Sequence, residues 1–302
     1  MFQCNKCFII GAIFLLVIGG GFSLMGDCAT DPVKNEDTGE CFTTIQAAID
    51  DGDTDAGDRI TVKSGTYTEQ LTIDKSITLE GSSQWSTRIQ YDSSPGIILV
   101  TADDVTIKNL GVFWTGSFGA TYYGIKIESD DCLVDSVIVG DCPRNVYIYE
   151  GTGNTISNSI ISTVFQEHES ITIIGSQNVV CGNMLISSGD IIGIGILLFG
   201  SNTTQNEIIG NNIQNYEYGI YVFSANNNDI YYNNFLNNDT HAYTFITSPN
   251  YNQWDDGGTY GGNYWGTCTD SNCDGFCDTA YTIATGEVDN YPLAKMSTRK
   301  CQ

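Results

Sequence analysis

Val180-Cys181-Gly182-Asn183-Met184-Leu185, Ile208-Ile209-Gly210-Asn211-Asn212-Ile213 and Ile230-Tyr231-Tyr232-Asn233-Asn234-Phe235 are three statements of one phrase. In each, an aliphatic residue is followed three positions later by Asn and five later by another apolar residue. The Asn positions lie 28 and 22 residues apart, and Ile156-x-Asn158-x-Ile160 reads as an earlier, compressed version. Between these phrases runs a second one: Gly124-Ile125-Lys126-Ile127, Asn145-Val146-Tyr147-Ile148, Ser170-Ile171-Thr172-Ile173, Gly195-Ile196-Leu197-Leu198 and Gly219-Ile220-Tyr221-Val222. Its first aliphatic residues advance by 21, 25, 25 and 24 residues.

A period near two dozen residues, holding two or three short strands, describes one turn of a β-solenoid. One coil cannot bury its apolar side alone, so it stacks on the next at about 4.8 Å. Alternation sends Ile, Val and Leu inward and polar residues outward. The expected fold is therefore all-β, a right-handed single-stranded parallel β-helix. Asn tolerates the left-handed corner between strands, and its side-chain amides stack along such a ladder. Asn158, Asn183, Asn211 and Asn233 are read on this basis as corner structure and not as ligands.

A solenoid end left open exposes unpaired strand edges. Residues 41–51 supply a plug: Phe42, Ile45 and Ile49 share a helical face, and Thr43 and Gln46 have capping-box spacing. The expected organisation is an export signal or signal anchor over 1–26, the β-helix over 27–250, an acidic closing segment over 251–293 and a tail over 294–302.

Composition agrees. Hydrophobic residues make up 41% of the 302 and charged residues only 16%, which suits a solenoid with Gly and Asn turns better than charged helices. The net charge of −24 opposes binding to phosphate backbones, so nucleic acid is not an expected partner. Lys6 followed by the charge-free run Phe8 to Met25 reads as an export signal, either cleaved or kept as the only membrane contact. Export makes disulfides the default for the nine cysteines beyond it, an odd number. Cys28 with Cys41, Cys132 with Cys142, and a pair within Cys268, Cys273 and Cys277 are the candidates. Asn202-Thr203-Thr204 and Asn238-Asp239-Thr240 are N-glycosylation sequons.

The run Thr44-Ile45-Gln46-Ala47-Ala48-Ile49-Asp50, then Ile60-Thr61-Val62, Gly65-Thr66-Tyr67-Thr68-Glu69 and Lys75-Ser76-Ile77-Thr78-Leu79-Glu80-Gly81, resembles the opening of pectin-lyase-like β-helix proteins. Within them the chain is similar to the carbohydrate-binding and sugar-hydrolysis (CASH) group with NosD-type repeats. Asn252-Gln253-Trp254, Gly262-Asn263-Tyr264-Trp265, Tyr281-Thr282-Ile283 and Asp289-Asn290-Tyr291-Pro292-Leu293 extend the resemblance to archaeal and bacterial NosD-like surface proteins. The resemblance covers about residues 41–293 and implies an exported protein of the cell envelope, often without demonstrated chemistry.

The sharpest chemical motif is Asp270-Ser271-Asn272-Cys273-Asp274-Gly275-Phe276-Cys277-Asp278. Side-chain oxygens at relative positions 1, 3, 5 and 9, Gly at 6 and the Phe276 carbonyl at 7 match the first part of a calcium loop. Tyr281 stands where a bidentate Glu is usual, so Asp255, Asp256 or Asp289 is expected to complete the shell. Calcium is thus the expected cofactor, in a structural role.

Enzyme motifs are thin. There are four arginines and two histidines, and neither the paired arginines of pectate lyases nor an Asp-Pro-His-Asp run is present. Outward carboxylates one coil apart, such as Glu128 or Asp131 with Glu150, have the arrangement glycoside hydrolysis needs, but carboxylates are too plentiful to single out a pair. Copper asks for thiolate, thioether or imidazole ligands, which four Met, two His and disulfide-bound cysteines do not offer. Tyr122, Tyr123, Tyr147, Tyr149, Tyr216, Tyr218, Tyr221, Tyr231 and Tyr232 fall on successive coils, and outward rings there would stack on sugars. The reading is an exported protein for noncatalytic glycan binding or envelope structure, with self-association as a further partner mode. The opposing class is a lyase, epimerase or glycoside hydrolase acting on a polysaccharide.

Overall fold

The computed structural model describes Cys28 and residues 30–116, 122–163, 168–188, 193–245, 251–258, 261–284, 286–299 and 301. The expected export segment, 1–26, lies outside them. Among the described residues, no helix is long and apolar enough to cross a membrane.

The chain forms a right-handed parallel β-solenoid of about seven turns. Each coil contributes one strand to each of three sheets. The first sheet has ten strands, including two antiparallel ones at its N-terminal end, and the second and third have eight each. Register follows the periodicity. In the third sheet Ile125 pairs with Val146, Val146 with Ile171, Ile171 with Ile196 and Ile196 with Ile220. Ile107, Val134, Ile156, Val180, Ile208 and Ile230 form the matching inward row of the first sheet. Val112, Val139, Ile161, Leu185, Ile213 and Phe235 form that of the second. All are essentially inaccessible to solvent, so the core is one continuous aliphatic column.

The corners carry polar ladders. Asn183, Asn211, Asn233 and Asn263 stack between the first and second sheets, each Oδ1 accepting both the backbone N–H and the Nδ2–H of the Asn before it. Nδ2 also donates to a backbone carbonyl, as from Asn211 to Val180 at 2.8 Å. The coil before Asn183 enters this ladder through Ser159, whose N–H donates to Asn183 Oδ1 at 2.9 Å. Asn158 is therefore not part of it. The repeat reads Ile156-x-x-Ser159-x-Ile161, and Asn158 is the exposed left-handed corner residue, φ 49°, donating to Asp135.

A second ladder, Asn154, Asn178, Asn206, Asn228 and Asn252, runs along the third-to-first corner. The Asn-to-Asn hydrogen bonds in both ladders run toward the C-terminal end. There each ladder meets a buried carboxylate. Glu287 accepts from Asn252 N and Nδ2 at 2.8 and 2.9 Å and from Trp254 Nε1 at 3.0 Å. Asp289 accepts from Asn263 N and Trp265 Nε1, both at 2.7 Å. An acceptor-only anion is the group that ends a line of donors without leaving one unpaired.

Both mouths are closed. The helix Ile45–Asp50 buries Ile45, Ala48 and Ile49 at the N-terminal end. Its cap is Thr44, one residue beyond the expected Thr43, because Cys41–Phe42 pairs as a short strand and delays the helix. Glu69 accepts from the free amides of Ile45 and Gln46 at 3.1 and 3.0 Å. At the other end Phe235, Trp265 and Tyr281 form a stack with centroids 4.4 and 4.1 Å apart.

Residues 294–299 and Cys301 return along the first-to-second corner. Ser297 exchanges two hydrogen bonds with Asn234, Arg299 lies against Gly210 and over the Tyr232 ring, and Cys301 is bonded to Cys181. A Cβ on Gly210, where φ is +67°, would lie 2.7 Å from the Arg299 carbonyl oxygen. Backbone passes there because the corner has no side chain.

Candidate functional site

Outward positions on the third sheet form two rows along the solenoid axis. One runs Tyr147, Thr172, Leu197, Tyr221 and Tyr243 in direct register. The other holds Tyr149 and Ile174, then Phe199, Phe223 and Phe245. The strands put them there: inward alternates such as Ile196 and Leu198 leave Leu197 and Phe199 facing solvent. Phe199, Tyr243 and Phe245 are 43%, 41% and 47% exposed, unusual for large apolar groups and concentrated on one face.

The rings stand on edge. Phe199 and Phe223 stack with centroids 5.2 Å apart and planes 11° apart, and Phe223 and Phe245 follow at 5.3 Å and 18°. Tyr221 and Tyr243 approach to 5.2 Å. Phe223 thus has a ring over each face, and Phe199 and Phe245 each have one face covered, so solvent meets mainly a comb of ring edges.

The other half of the face is polar. Lys126 pairs with Glu128 and lies 4.7 Å over Tyr149 and 5.5 Å over Tyr147. Arg144 pairs with Glu169 at 3.3 Å. Burial raises the Glu169 carboxyl above the usual carboxylate range, and the Arg144 guanidinium partly opposes that rise. Glu169 escaped the sequence reading because a single Glu in a strand looks like any surface acid. Its partner lies 25 residues away, one coil below.

The anticipated tyrosines separate. Tyr147, Tyr149, Tyr218 and Tyr221 belong to this face, with Tyr147 against Tyr149 and Tyr218 against Tyr221 and Tyr243. Tyr216 points into the core, where its hydroxyl meets Ser170 Oγ at 2.7 Å, and Tyr123 and Tyr232 are buried. Tyr122 stacks on Trp114, and Tyr231 lies on the first sheet. Glu128 follows the strand Tyr123–Ile127, Asp131 is a left-handed corner residue, φ 55°, and Glu150, φ 61°, sits at a bulge within the strand Arg144–Thr152.

The loop carrying Asp270, Asn272, Asp274, Phe276 and Asp278 turns sharply at Gly275, φ +96°, and is pinned by Cys268–Cys277. Asp270 accepts from the amides of Asp274 and Gly275 at 3.1 Å each, and Asp274 from Phe276 at 2.9 Å. Asn272 Oδ1 accepts from Asp274 N at 3.2 Å. Asp278 accepts from Ser271 N and Oγ, which hold its carboxyl below the usual range. Two of the three anticipated completing ligands are engaged elsewhere, and the third, Asp256, is exposed. Asp255 is buried and binds Asn290, and Asp289 ends the Asn ladder. The loop's own oxygens fit a calcium shell only in part.

Among the described residues, the one group of three metal-binding side chains whose ligand atoms lie within 4.8 Å of one another is Glu40, Asp51 and Asp53. Exposed hard oxygens of this kind do not suit copper. His241 is held low in pKa by burial, and its ring lies 5.9 Å from Phe235.

Cys28–Cys41 and Cys268–Cys277 are bonded, with Cα atoms 5.7 Å apart in each. Cys132 and Cys142 are not a pair: both are buried free thiols, one before the first-sheet strand Leu133–Asp135 and one after the second-sheet strand Ile138–Gly140. Two strands and a corner of the same coil separate them. Cys273 is free and exposed, and Cys181–Cys301 was not anticipated, since 120 residues separate its partners. Asn202 is exposed in a turn. Asn238 is not an open sequon: it is buried, with Oδ1 accepting from Tyr216 N and Nδ2 donating to Ile213 O, both at 2.9 Å. A glycan on Nδ2 would displace that corner.

With this geometry in place, a family model described as periplasmic copper-binding protein (NosD) matches residues 54–269. The chain belongs to the NosD family. This NosD-family chain is 33% identical over 260 residues to a cell surface glycoprotein of Methanothermus fervidus, covering 74% of the chain and 37% of the glycoprotein. The chain therefore spans little more than a third of that relative's length. Among solved structures, pectin methylesterase from Aspergillus niger superposes with a TM-score of 0.51 at 20% identity, covering 70% of this chain and 80% of that one. The Agl-KA catalytic domain gives 0.50 at 18%, covering 64% and 39%. At these identities the NosD-family chain shares a fold with them.

Proposed function

We propose that this NosD-family chain is an exported, noncatalytic cell-surface module that helps build the envelope, making contact through the outward face of its third sheet. The cell-surface relative and three extracytoplasmic-type disulfides support export. One observation carries the role: the rings of Phe199, Phe223 and Phe245 stack on one another. A sugar-stacking platform needs free ring faces, whereas a self-stacked comb is a rigid apolar surface suited to packing against another molecule. Glycan contact falls instead to the polar half around Lys126, Arg144, Tyr147 and Tyr149, through hydrogen bonds. Calcium is proposed to rigidify the Asp270–Asp278 loop, with no chemical role.

A second reading, a polysaccharide-active enzyme, is favoured by Glu169, a half-buried carboxyl raised in pKa beside Arg144 on the outward strand face. The deciding experiment incubates the chain with neutral and uronate polysaccharides, with calcium and with EDTA. New reducing ends and unsaturated-uronate absorbance are followed together with retention on each polymer. The expected result is no product. Product above a denatured control, abolished by Glu169→Gln, overturns the noncatalytic role and assigns the chemistry to this face.

A further inference from the structure

The N-terminal end of the first sheet holds a cavity. Its strands Val33–Asn35, Arg59–Val62 and Thr78–Gly81 bring the outward residues Lys34, Thr61 and Glu80 into one register row. Together with Glu36, Arg59 and Lys63 they line a space of about 470 Å³, within the size range of small-ligand sites. Cys28 and Pro32 form its wall, and that wall is pinned. Lys63 donates its backbone amide to the Pro32 carbonyl at 2.9 Å and its Nζ to the Cys28 carbonyl, and Cys28 is bonded to Cys41. The cavity is therefore formed in advance of any ligand.

Its charge runs against that of the chain. Asp and Glu outnumber Lys and Arg by 36 to 12 overall, whereas here Lys34, Arg59 and Lys63 face Glu36 and Glu80. Glu36 accepts from Lys34 and from Thr61 Oγ1. Arg59 meets Glu80 at 3.4 Å, and Lys108, next in the register row, shares the same carboxylate at 3.3 Å. Only Nη1 of the Arg59 guanidinium has an acceptor among the described residues, and half of that side chain is exposed.

The turn 82–86 starts at this cavity and carries Trp85. Ser82 lines the cavity and donates both its amide and its Oγ to Val62 O. Ser64 Oγ, next to Lys63, ties down the far end of the turn at Ser86 Oγ, 2.9 Å away. Trp85 is 73% exposed, the most exposed large apolar side chain among the described residues, and none of their rings stacks on it. It has the free ring faces that the Phe comb of the third sheet lacks.

We propose that this cavity binds one acidic sugar residue, a uronate, of an envelope polysaccharide, with Trp85 as the stacking platform beside it. The assignment rests on the glycan-contacting part of the envelope role and gives it a second contact, apart from the third sheet. Three features select the ligand. Carboxylate acceptors interleaved with ammonium, guanidinium and hydroxyl donors suit a polyhydroxylated molecule, whereas a bare phosphate would be repelled by Glu36 and Glu80. The surplus cation suits a single planar carboxylate, which the open side of the Arg59 fork matches. An exposed indole suits the flat C–H face of a sugar ring.

The test is tryptophan fluorescence of the full chain in EDTA, titrated with trimers of galacturonate and of glucuronate, with their neutral hexose counterparts and with inorganic phosphate. Trp114, Trp254 and Trp265 are buried, so changes in emission and in acrylamide quenching report on Trp85. A uronate trimer should shift the emission and shield the ring. It should bind about tenfold or more tighter than its neutral counterpart, and less tightly as salt rises. Trp85→Ala should weaken binding about tenfold by calorimetry, and Trp85→Tyr should recover most of that loss. Arg59→Gln should abolish the preference for the uronate. Both side chains are exposed, so the circular dichroism spectrum should not change. Equal binding of neutral and acidic trimers, a response to phosphate alone, or affinity unmoved by Trp85→Ala and Arg59→Gln overturns the assignment. Uronate binding lost instead in Lys126→Gln moves the contact to the third sheet and leaves the envelope role standing. Failure to bind any trimer also overturns the assignment, and retention on whole polysaccharides then decides the envelope role by itself.

Discussion

Asn211 accepts from Asn183 N and Asn183 Nδ2, both at 3.0 Å, and donates to Asn233 Oδ1 at 2.9 Å and Val180 O at 2.8 Å. Such a residue has no apolar substitute, because removing it strands buried donors and acceptors on both sides. Asn211→Ala should cost about 3–5 kcal/mol in chemical denaturation. Asn158→Ala, at an exposed left-handed corner, should cost only about 1 kcal/mol. Equal losses would mean that the ladder adds nothing beyond corner geometry. Asp289 behaves differently. Burial raises its pKa to about 6, and the N–H groups of Asn263, Trp265 and Tyr291 temper the rise. The folded state therefore holds this proton more tightly than the unfolded chain, where a value near 3.9 applies. Its contribution to stability is fullest below about pH 4 and declines by about 3 kcal/mol as pH rises through about 6. Asp289→Asn removes a carboxyl that is neutral at pH 4 and charged at pH 7, and because only the native chain weakens across that range, the variant's deficit should shrink between pH 4 and pH 7. Thermal melts across that range check this, and a deficit that grew with pH would reverse the assignment.

At the scale of single elements, the closing segments differ in what holds them. The N-terminal helix has six residues, too few to persist alone, and depends on Glu69 and on burying Ile45 and Ile49. The C-terminal loop Asp270–Asp278 has little burial and is organised by its own carboxylates and a disulfide of sequence separation 9. Three like charges on one exposed turn repel unless a cation sits among them. Calcium should therefore raise the melting temperature of the native chain over that in EDTA by several degrees at saturation, an effect lost in Asp270→Asn combined with Asp274→Asn. Identical melts in calcium and EDTA would remove calcium from the account of this element.

Across the whole molecule, a solenoid is held mainly by contacts between adjacent coils, and its stability is nearly a sum over them. The tail breaks that pattern. It ties Cys301 to Cys181 across a separation of 120 residues and lies over the corners of the intervening coils at Gly210 and Asn234. Closing so long a loop restricts the unfolded chain, by an amount that chain-entropy arguments put at about 4–5 kcal/mol. Cys301→Ser should lower the unfolding midpoint and make residues 294–301 the first site of limited proteolysis. A variant as stable and as protease-resistant as the native chain would show the strap to be held by Asn234 and Tyr232 alone.

The stretch from Val180 to Phe235 was enough to specify the fold, because a solenoid writes its period into the order of apolar residues and each coil needs only its neighbour. Nearest-neighbour stacking is a local rule, and local rules are legible. Asn183, Asn211 and Asn233 were legible for the same reason, although Asn158 was placed one residue out where the coil shortens and Ser159 takes the ladder position, and the second ladder went unread. What required the tertiary structure was everything set by direction or by distance along the axis. Whether Tyr216 faces the core or Tyr221 the solvent depends on which strand phase a corner imposes. That the aromatic rings stand edge-on depends on rings one coil above and below. That Glu287 and Asp289 end the Asn ladders, and that Cys301 reaches Cys181, depends on where the chain turns back after the last coil. Periodicity determined the coils of this protein; only three dimensions decided what their faces and ends present.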